Sequence, residues 1–229
     1  MAPGTQTPTL LNKAHSLMFR RLERKRCWVR KLSGLENRCF TEHCLDVADL
    51  LAREGYGPRV IAASLLRYCS KDRHHNPDAW VEWEFDSDVA NLVYWVSDEG
   101  SHLAQTIRDS MFLAKLGSAP QAALSIVALG IVSNVSSIEL LTRSEVATGS
   151  LSRCGWCPLG EELDSRLEFL EHFLDLCNGK IPSSLQIRLT DKIDRMAELV
   201  SWVRDHAGAQ GDGAIRSTTE YAPSLTVRR

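Results

Sequence analysis

Polar side chains with anion-binding and acid–base chemistry follow an apolar stretch near residue 70. The stretch "IAASLLRYCSKD" (residues 61–72) ends with Arg67, Tyr68, Lys71 and Asp72. Its apolar first half is typical of a buried helix, and the polar side chains would lie on the last turn. A guanidinium binds phosphate through two parallel hydrogen bonds, but it also forms ion pairs with carboxylates. Arg67 is therefore either a receptor for an anion or the ion-pair partner of Asp72, and both hypotheses stay open.

Two other short motifs contain residue types that bind metals. The polar stretch "DRHHNPD" contains His74 and His75, and histidine is a common zinc ligand. Adjacent side chains point in different directions, so exposed loop histidines are the simpler interpretation. In "CGWC", Cys154 and Cys157 have the spacing of redox and zinc motifs, but no strand precedes them and no second ligand pair follows. We interpret this motif as a loop with two free thiols.

The elements that position these residues are predicted to be helices. A mostly apolar helix face repeats at i, i+4, i+7 and i+8 in residues 43–54, and again in residues 60–69 after Pro58. Its members are His43, Val47, Leu50, Leu51 and Glu54, then Val60, Ile61, Ser64, Leu65 and Cys69. Alternating strand patterns are nearly absent, which predicts an all-α, single-domain helical bundle. Further helical segments are predicted over residues 89–96, 123–132, 163–177 and 185–206.

Length and charge limit the classes of protein to which the chain can belong. With 229 residues, of which 44% are hydrophobic and 24% charged, the chain can bury the core of one globular domain. We expect this domain over residues 10–206, with a flexible N-terminus at 1–9 and a disordered tail at 207–229. The net charge of −2 gives no electrostatic reason to expect a nucleic acid or an anionic membrane as partner.

Several features favour a cytoplasmic protein without a membrane-spanning helix. The longest apolar run, residues 123–132, has ten residues, whereas a helix needs about 20 to cross a bilayer. Cys44 and Cys69 lie inside apolar helix patterns, which is typical of reduced, buried thiols in the cytosol. The first residues lack the charged and apolar regions of a signal peptide. The basic cluster "RRLERKR" at residues 20–26 is interpreted as a solvated helix surface.

The two helix patterns around His43 and Arg67 together resemble the opening helices of the HD-domain hydrolases of the RelA/SpoT type. That family shows an aromatic residue, two further residues and then His-Pro-x-x-Val-Ala, followed later by Ala-Ala-x-Leu-Leu-His-Asp-x-x-Glu-Asp. The stretch "FTEHCLDVADLLAREGYGPRVIAASLLRYCSKD" is similar to both motifs in order and spacing. The matching residues are Phe40, His43, Val47, Ala48, Ala62, Ala63, Leu65 and Leu66.

Two later segments extend the resemblance to about residues 40–140. The stretch "FDSDVANLVYWVSD" resembles the family's Phe-Gly-x-x-Val-Ala-x-Leu-Val segment, and "LSIVALGIVSNVSSI" aligns without a gap on a helix that reads Ile-Lys-Leu-Ala-Asp-x-x-x-Asn. The resemblance implies an HD-like fold. It also implies the family's activity, which is removal of pyrophosphate from guanosine tetra- and pentaphosphate. The matching residues are Phe85, Val89, Ala90, Leu92, Val93, Ile126 and Asn134.

The departures from the family pattern fall on the positions that hold its metal. The family's ligands are the first His, the His-Asp pair and the later Asp, and here these positions are His43, Arg67, Tyr68 and Gly130. The Glu-Asp pair that orients the attacking water keeps only Asp72. One imidazole cannot hold a hydrolytic cation, and a permanently charged guanidinium repels it. We therefore expect no metal and no cofactor, and we interpret His43 as a core histidine hydrogen-bonded to a carbonyl or to Asp72.

The sequence supports two hypotheses from different classes. In the first, which we favour, the chain is a catalytically eroded HD-domain protein. It would be a regulatory or nucleotide- or phosphate-binding module, without enzymatic activity, whose ligand contacts Arg67, Lys71, Asp72 and Asn134. In the second, the chain is an active phosphohydrolase with a divergent site. It would act on guanosine tetraphosphate or a related nucleotide with manganese or another divalent metal.

A third hypothesis is a helical interaction protein whose function is to bind a protein partner. Its sign would be exposure of Trp80, Trp83 and Trp95, although tryptophans at this spacing are more often part of a core.

Overall fold

The computed structural model describes residues 9–22, 40–69, 81, 84–97, 103–147 and 160–207. Among these residues there are eight α-helices and no strand, and the all-α prediction is confirmed. Several residues of the predicted motifs lie outside the described ranges, as do residues 1–8 and the tail from 208. The helices are α1 (Leu10–Leu22), α2 (Phe40–Arg53), α3 (Pro58–Leu66), α4 (Ser87–Val96), α5 (Gln105–Leu116), α6 (Gln121–Ala147), α7 (Gly160–Cys177) and α8 (Ser183–Ala207). The motif residues outside the description are Lys71, Asp72, His74, His75, Trp80, Trp83, Cys154 and Cys157.

Helix α6 is the central element of the bundle. It packs against α2, α3, α4 and α8, and from Ala123 to Val132 its side chains are almost completely buried. Residues 121–139 are long and apolar enough to cross a bilayer by length and composition, but 78% of that window is buried inside the protein. Burial on all sides is the property of a core helix, because the other helices already cover its apolar surface.

The turn between α2 and α3 fixes how these two helices meet. Gly55 has a φ of 79°, in the left-handed region that glycine adopts without strain. The Tyr56 N–H donates to the Leu51 carbonyl at 3.0 Å, which satisfies a carbonyl that the helix end leaves open. Pro58 then begins α3 at a position where a missing N–H costs nothing. The local sequence therefore directs α2 and α3 to pack against each other.

Helix α4 begins at an aspartate that also contacts α3. The Asp86 carboxylate accepts a hydrogen bond from the Val89 N–H at 2.9 Å, and it lies 2.8 Å from Nε of Arg59. These contacts hold the pKa of Asp86 below its ordinary value, first through the Val89 N–H and also through the Arg59 guanidinium. The N-cap therefore both starts α4 and joins it to α3.

The C-terminal helices are joined to the rest of the bundle by ion pairs. Glu139 of α6 accepts from Nζ of Lys192 at 2.5 Å and lies 3.6 Å from Nη1 of Arg195, both on α8. The buried residues of all eight helices form one continuous core that extends from Ala14 to Val200. Such a core agrees with the expected domain over residues 10–206, whose outer boundaries stay a prediction.

Trp95 bears on the interaction-protein hypothesis. It is half-buried on α4 and packs against the core, with its ring 5.2 Å from the ring of Tyr94. Trp95 is therefore not the exposed tryptophan that this hypothesis expects. Trp80 and Trp83 lie outside the described residues.

Candidate functional site

A cavity of about 300 Å³ opens between α6, the C-terminal end of α3 and helices α5 and α7. Its wall is apolar over most of its extent, with polar and charged side chains at defined places. The apolar residues are Phe112, Val127, Ile131, Val135, Ile138, Phe169, Leu170 and Met196. The others are His43, Arg67, Tyr68, Gln105, Arg108, Asp109, Gly130, Asn134 and Arg166.

The end of α3 presents Arg67 and Tyr68 to this cavity. The helix ends at Leu66, and the Cys69 N–H donates to the Leu66 carbonyl at 2.8 Å in a tight turn. The Arg67 carbonyl accepts from the Ser97 hydroxyl at 3.2 Å, which holds this turn against the end of α4. The predicted helix with polar groups at its end is therefore present, and the polar residues lie on the turn that follows it.

His43 is buried, at 6% exposure, and both of its ring nitrogens have polar neighbours. Its Nδ1 is 3.2 Å from the Ser133 hydroxyl, and its Nε2 is 3.3 Å from the Tyr68 hydroxyl. The expectation of a hydrogen-bonded core histidine agrees with this geometry. The partners described here are two hydroxyl groups, whereas a carbonyl or Asp72 was expected. Neither hydroxyl comes from a residue adjacent in sequence, so only the packing of α2 on α3 and α6 selects them.

The Arg67 guanidinium lies beside the glycine of α6. A Cβ atom built on Gly130 would be 3.0 Å from Nη1 of Arg67 and 4.0 Å from Nε2 of His43. The Arg67 Cζ atom is also 5.2 Å from the centroid of the Tyr68 ring and 5.7 Å from that of Phe112. A guanidinium over aromatic faces gains cation–π attraction. The four positions that align with the family's metal ligands thus converge in space, and a permanent cation lies among them.

These residues do not fit a hydrolytic divalent metal. The donors at the converging positions are one imidazole and one phenol, with no carboxylate, whereas such ions need several hard anionic or imidazole ligands. The Arg67 guanidinium would stand within a few ångströms of the ion and repel it. Among the described residues, no group of three or more His, Cys, Asp or Glu side chains is placed to hold a metal.

A second polar group, from α5 and α7, lies on the same cavity. The Asp109 carboxylate is 3.4 Å from Nη1 of Arg166 and accepts from the Gln105 amide at 2.7 Å. Arg108 donates from Nη2 to the Gln105 side-chain oxygen. This group was not predicted from the sequence, because Asp109 and Arg166 are 57 positions apart and both resemble ordinary surface residues.

The residues expected to bind a ligand are only partly within the described structure. Arg67 and the half-buried Asn134 both line the cavity, as do His43, Tyr68 and Gly130. Lys71 and Asp72 lie outside the described residues, so the expected pairing of Arg67 with Asp72 stays a prediction.

The all-α bundle has the fold of the HD-type hydrolases. A solved structure of a metazoan ortholog of SpoT, which hydrolyses ppGpp, superposes with a TM-score of 0.62 at 17% identity and covers 84% of this chain and 98% of its own. The crystal structure of lmo0812 from Listeria monocytogenes EGD-e gives a TM-score of 0.52 at 21% identity and covers 71% of this chain and 99% of its own. No family model and no curated protein sequence matches the chain. At these identities the likeness establishes the fold alone.

Proposed function

We propose that this chain is a non-catalytic member of the HD-type fold that binds a nucleotide or another phosphate-bearing small molecule. In this proposal the position of the metal is taken over by the Arg67 guanidinium, which provides the positive charge for an anionic ligand. The module acts in the cytoplasm without metal or cofactor, and it has a regulatory function. The thiols of Cys44, Cys69 and Cys177 are buried and form no disulfide among the described residues, which is consistent with that compartment.

The observation that carries the proposal is the position of Arg67 relative to Gly130 and His43. The guanidinium lies 3.0 Å from the point where a Cβ atom of residue 130 would be, so it takes the space that the family's later Asp would enter. A hydrolytic metal works by lowering the pKa of bound water, and a guanidinium cannot do this. It can bind a phosphate through two charge-assisted hydrogen bonds, so the substitution favours binding over hydrolysis.

The solved neighbour that hydrolyses ppGpp suggests which ligand to test first. The cavity has the composition of small-molecule sites, with a mostly apolar wall and a few convergent polar groups. Asn134 supplies a neutral donor and acceptor that can orient the organic part of a nucleotide. A guanosine nucleotide is therefore the first probe.

The test measures the melting temperature of the purified full chain with and without guanosine tetraphosphate. A ligand at about 100 times its dissociation constant stabilises the folded state by about 2.7 kcal/mol, which for a chain of this size raises the melting temperature by about 5–10 °C. We expect Arg67→Met to fold and to show no such rise. Arg188→Met is the matched control, because Arg188 is a surface residue paired with Glu54 outside the cavity.

Two results would contradict the proposal. One is the absence of any nucleotide-induced stabilisation in the wild-type chain. The other is the presence of about one manganese, iron or zinc ion per purified chain, lost on His43→Ala, which elemental analysis detects. That second result, together with phosphate release from the nucleotide, would favour the active phosphohydrolase with a divergent site.

A further inference from the structure

Helix α5 has an exposed face without a charged residue. Its members recur at i, i+1, i+4, i+5 and i+8, which places them along one side of the helix. Two of them, Ile107 and Met111, are large apolar residues with 50% exposure each. The exposed side of a surface helix usually carries charged residues, so this uncharged stripe is a candidate for contact with a partner. We call it the α5 outer face, and its members are Thr106, Ile107, Ser110, Met111 and Ala114, all of which are exposed.

The charged residues of α5 all point away from this face. Arg108 and Asp109 line the cavity on another side of the helix. Lys115 reaches towards α4, where its Nζ donates to the Ser97 carbonyl at 3.2 Å and lies 4.0 Å from the centroid of the Tyr94 ring. A charged partner would therefore find no opposite charge on the α5 outer face. A second uncharged face, in contrast, can cover it without repulsion and without burying a charge.

The order of large and small residues makes the face complementary to itself. If two α5 helices pack antiparallel about a two-fold axis between positions 110 and 111, Ile107 lies opposite Ala114 of the second copy. In the same arrangement Met111 lies opposite Ser110 of the second copy. Each large side chain then meets a small one at both of its symmetry-related positions. The antiparallel orientation also places the positive N-terminal end of each helix beside the negative C-terminal end of the other.

We propose that the α5 outer face is a homodimerisation surface, on which two copies of this chain pack with their α5 helices antiparallel. Tyr94, which is 39% exposed, lies beside the C-terminal end of α5 and extends the surface. This proposal is independent of the proposed function, because the cavity lies on another side of the helix.

The size of the surface sets the strength of the dimer. A helix of 12 residues is about 18 Å long, so two such faces bury less area than the roughly 1,200–2,000 Å² of a stable interface. The dimer is therefore weak, and we expect a dissociation constant between about 1 and 100 μM.

The experiment measures the molar mass of the full chain by sedimentation equilibrium, at concentrations from well below to well above this range and without ligand. The mass should rise from that of one chain to that of two. Ile107→Glu and Ala114→Lys should each weaken self-association at least tenfold, because each buries a charge opposite an apolar residue. Both positions are exposed, so both variants should keep the circular dichroism spectrum of the wild type. Ile187→Glu is the matched control, since Ile187 is an exposed isoleucine on α8, and it should leave the dimer unchanged.

Mixing the two variants tests the antiparallel arrangement itself. In a mixed dimer the new glutamate at position 107 faces the new lysine at position 114, and the other symmetry-related pair is native. An equimolar mixture should therefore dimerise at least tenfold more tightly than either variant alone. A mixture that associates no better than its components would overturn the proposal, as would a wild-type chain that stays monomeric throughout. Wild-type dimers that Ile107→Glu does not weaken would overturn it as well, because the contact would then lie on another surface.

Discussion

At position 130 the absence of a side chain leaves room for the Arg67 guanidinium. The 3.0 Å separation between Nη1 and a Cβ atom at this position is tighter than ordinary van der Waals contact. Any residue with a side chain here would displace the end of Arg67, which is flexible enough to move. Residues 67 and 130 are thus coupled. A glycine at position 130 accommodates Arg67, whereas an acidic residue at position 130 would suit a metal-binding residue at position 67.

This coupling predicts the outcome of introducing the metal ligands of the HD-domain pattern. The triple variant Arg67→His, Tyr68→Asp and Gly130→Asp removes the guanidinium and adds the three missing ligands around His43. We expect it to fold and to bind manganese with about one ion per chain, as measured by calorimetry and elemental analysis. Gly130→Asp alone is the control and should bind no metal, because Arg67 would pair with the new carboxylate. A triple variant that folds well and binds no manganese would show that the alignment on the HD-domain pattern is misplaced.

At the scale of single helices, α4 contacts α3 and the turn after it from both of its ends. Ser97, at the other end of α4, donates to the Arg67 carbonyl, so the placement of α4 influences the turn that carries Arg67. Asp86 fixes the start of α4 and contacts Arg59 of α3. Loss of this cap would loosen the contact between the two helices.

Replacement of the cap has a predicted cost and a predicted pH dependence. Asp86→Ala should lower the free energy of unfolding by about 1 kcal/mol at pH 7, as measured by urea denaturation. Because the pKa of Asp86 is lower in the folded chain than in the unfolded one, the charge stabilises the fold above the unfolded pKa. That contribution is lost as the pH falls through the folded pKa, so the difference between wild type and variant should shrink below about pH 4. Asp86→Ser, which keeps a capping oxygen, should lose less, and a variant difference that grows in acid would contradict this account.

At the scale of the whole molecule, one core joins the helices with HD-like sequence motifs to the C-terminal pair α7 and α8. Leu66 of α3 and Phe173 of α7 are both completely buried, and both belong to the same cluster of core residues. A common core predicts that the chain unfolds as one cooperative unit.

Large-to-small substitutions in α3 and in α7 test whether the chain unfolds as one cooperative unit. Leu66→Ala should cost about 2–5 kcal/mol and Phe173→Ala about 3–5 kcal/mol, because each leaves a cavity in a close-packed interior. Both variants should shift one shared denaturation transition, observed by circular dichroism and by tryptophan fluorescence. Ile187→Ala is the control, since Ile187 is 70% exposed and its loss should change stability by at most about 0.5 kcal/mol. Two separate transitions in either core variant would mean that α7 and α8 form a separate unit.

The sequence by itself determined the helical fold and the positions at which the chain departs from the HD-domain pattern it resembles. Apolar spacing, Pro58 and the glycine after α2 are local signals, because each depends on side chains or backbone angles within a few residues. The residue types at positions 67, 68 and 130 could also be compared with the HD-domain pattern, because the spacing of a motif within a helix has no gaps. The boundaries of α3 were less well determined. Its last turn tightens at Leu66, where contacts to α4 compete with helix propensity.

Only the tertiary structure decided where the charged side chains of the site lie. Periodicity gives the face of a helix, but it does not give the partner helix or the direction of a long side chain at a helix end. The contacts of His43 with Ser133 and of Asp109 with Arg166 join residues 90 and 57 positions apart, and they arise from packing of helices that sequence order leaves undetermined. The polar group of Gln105, Asp109 and Arg166 could not be predicted from the sequence for this physical reason: only the packing of α5 against α7 brings its residues to one cavity.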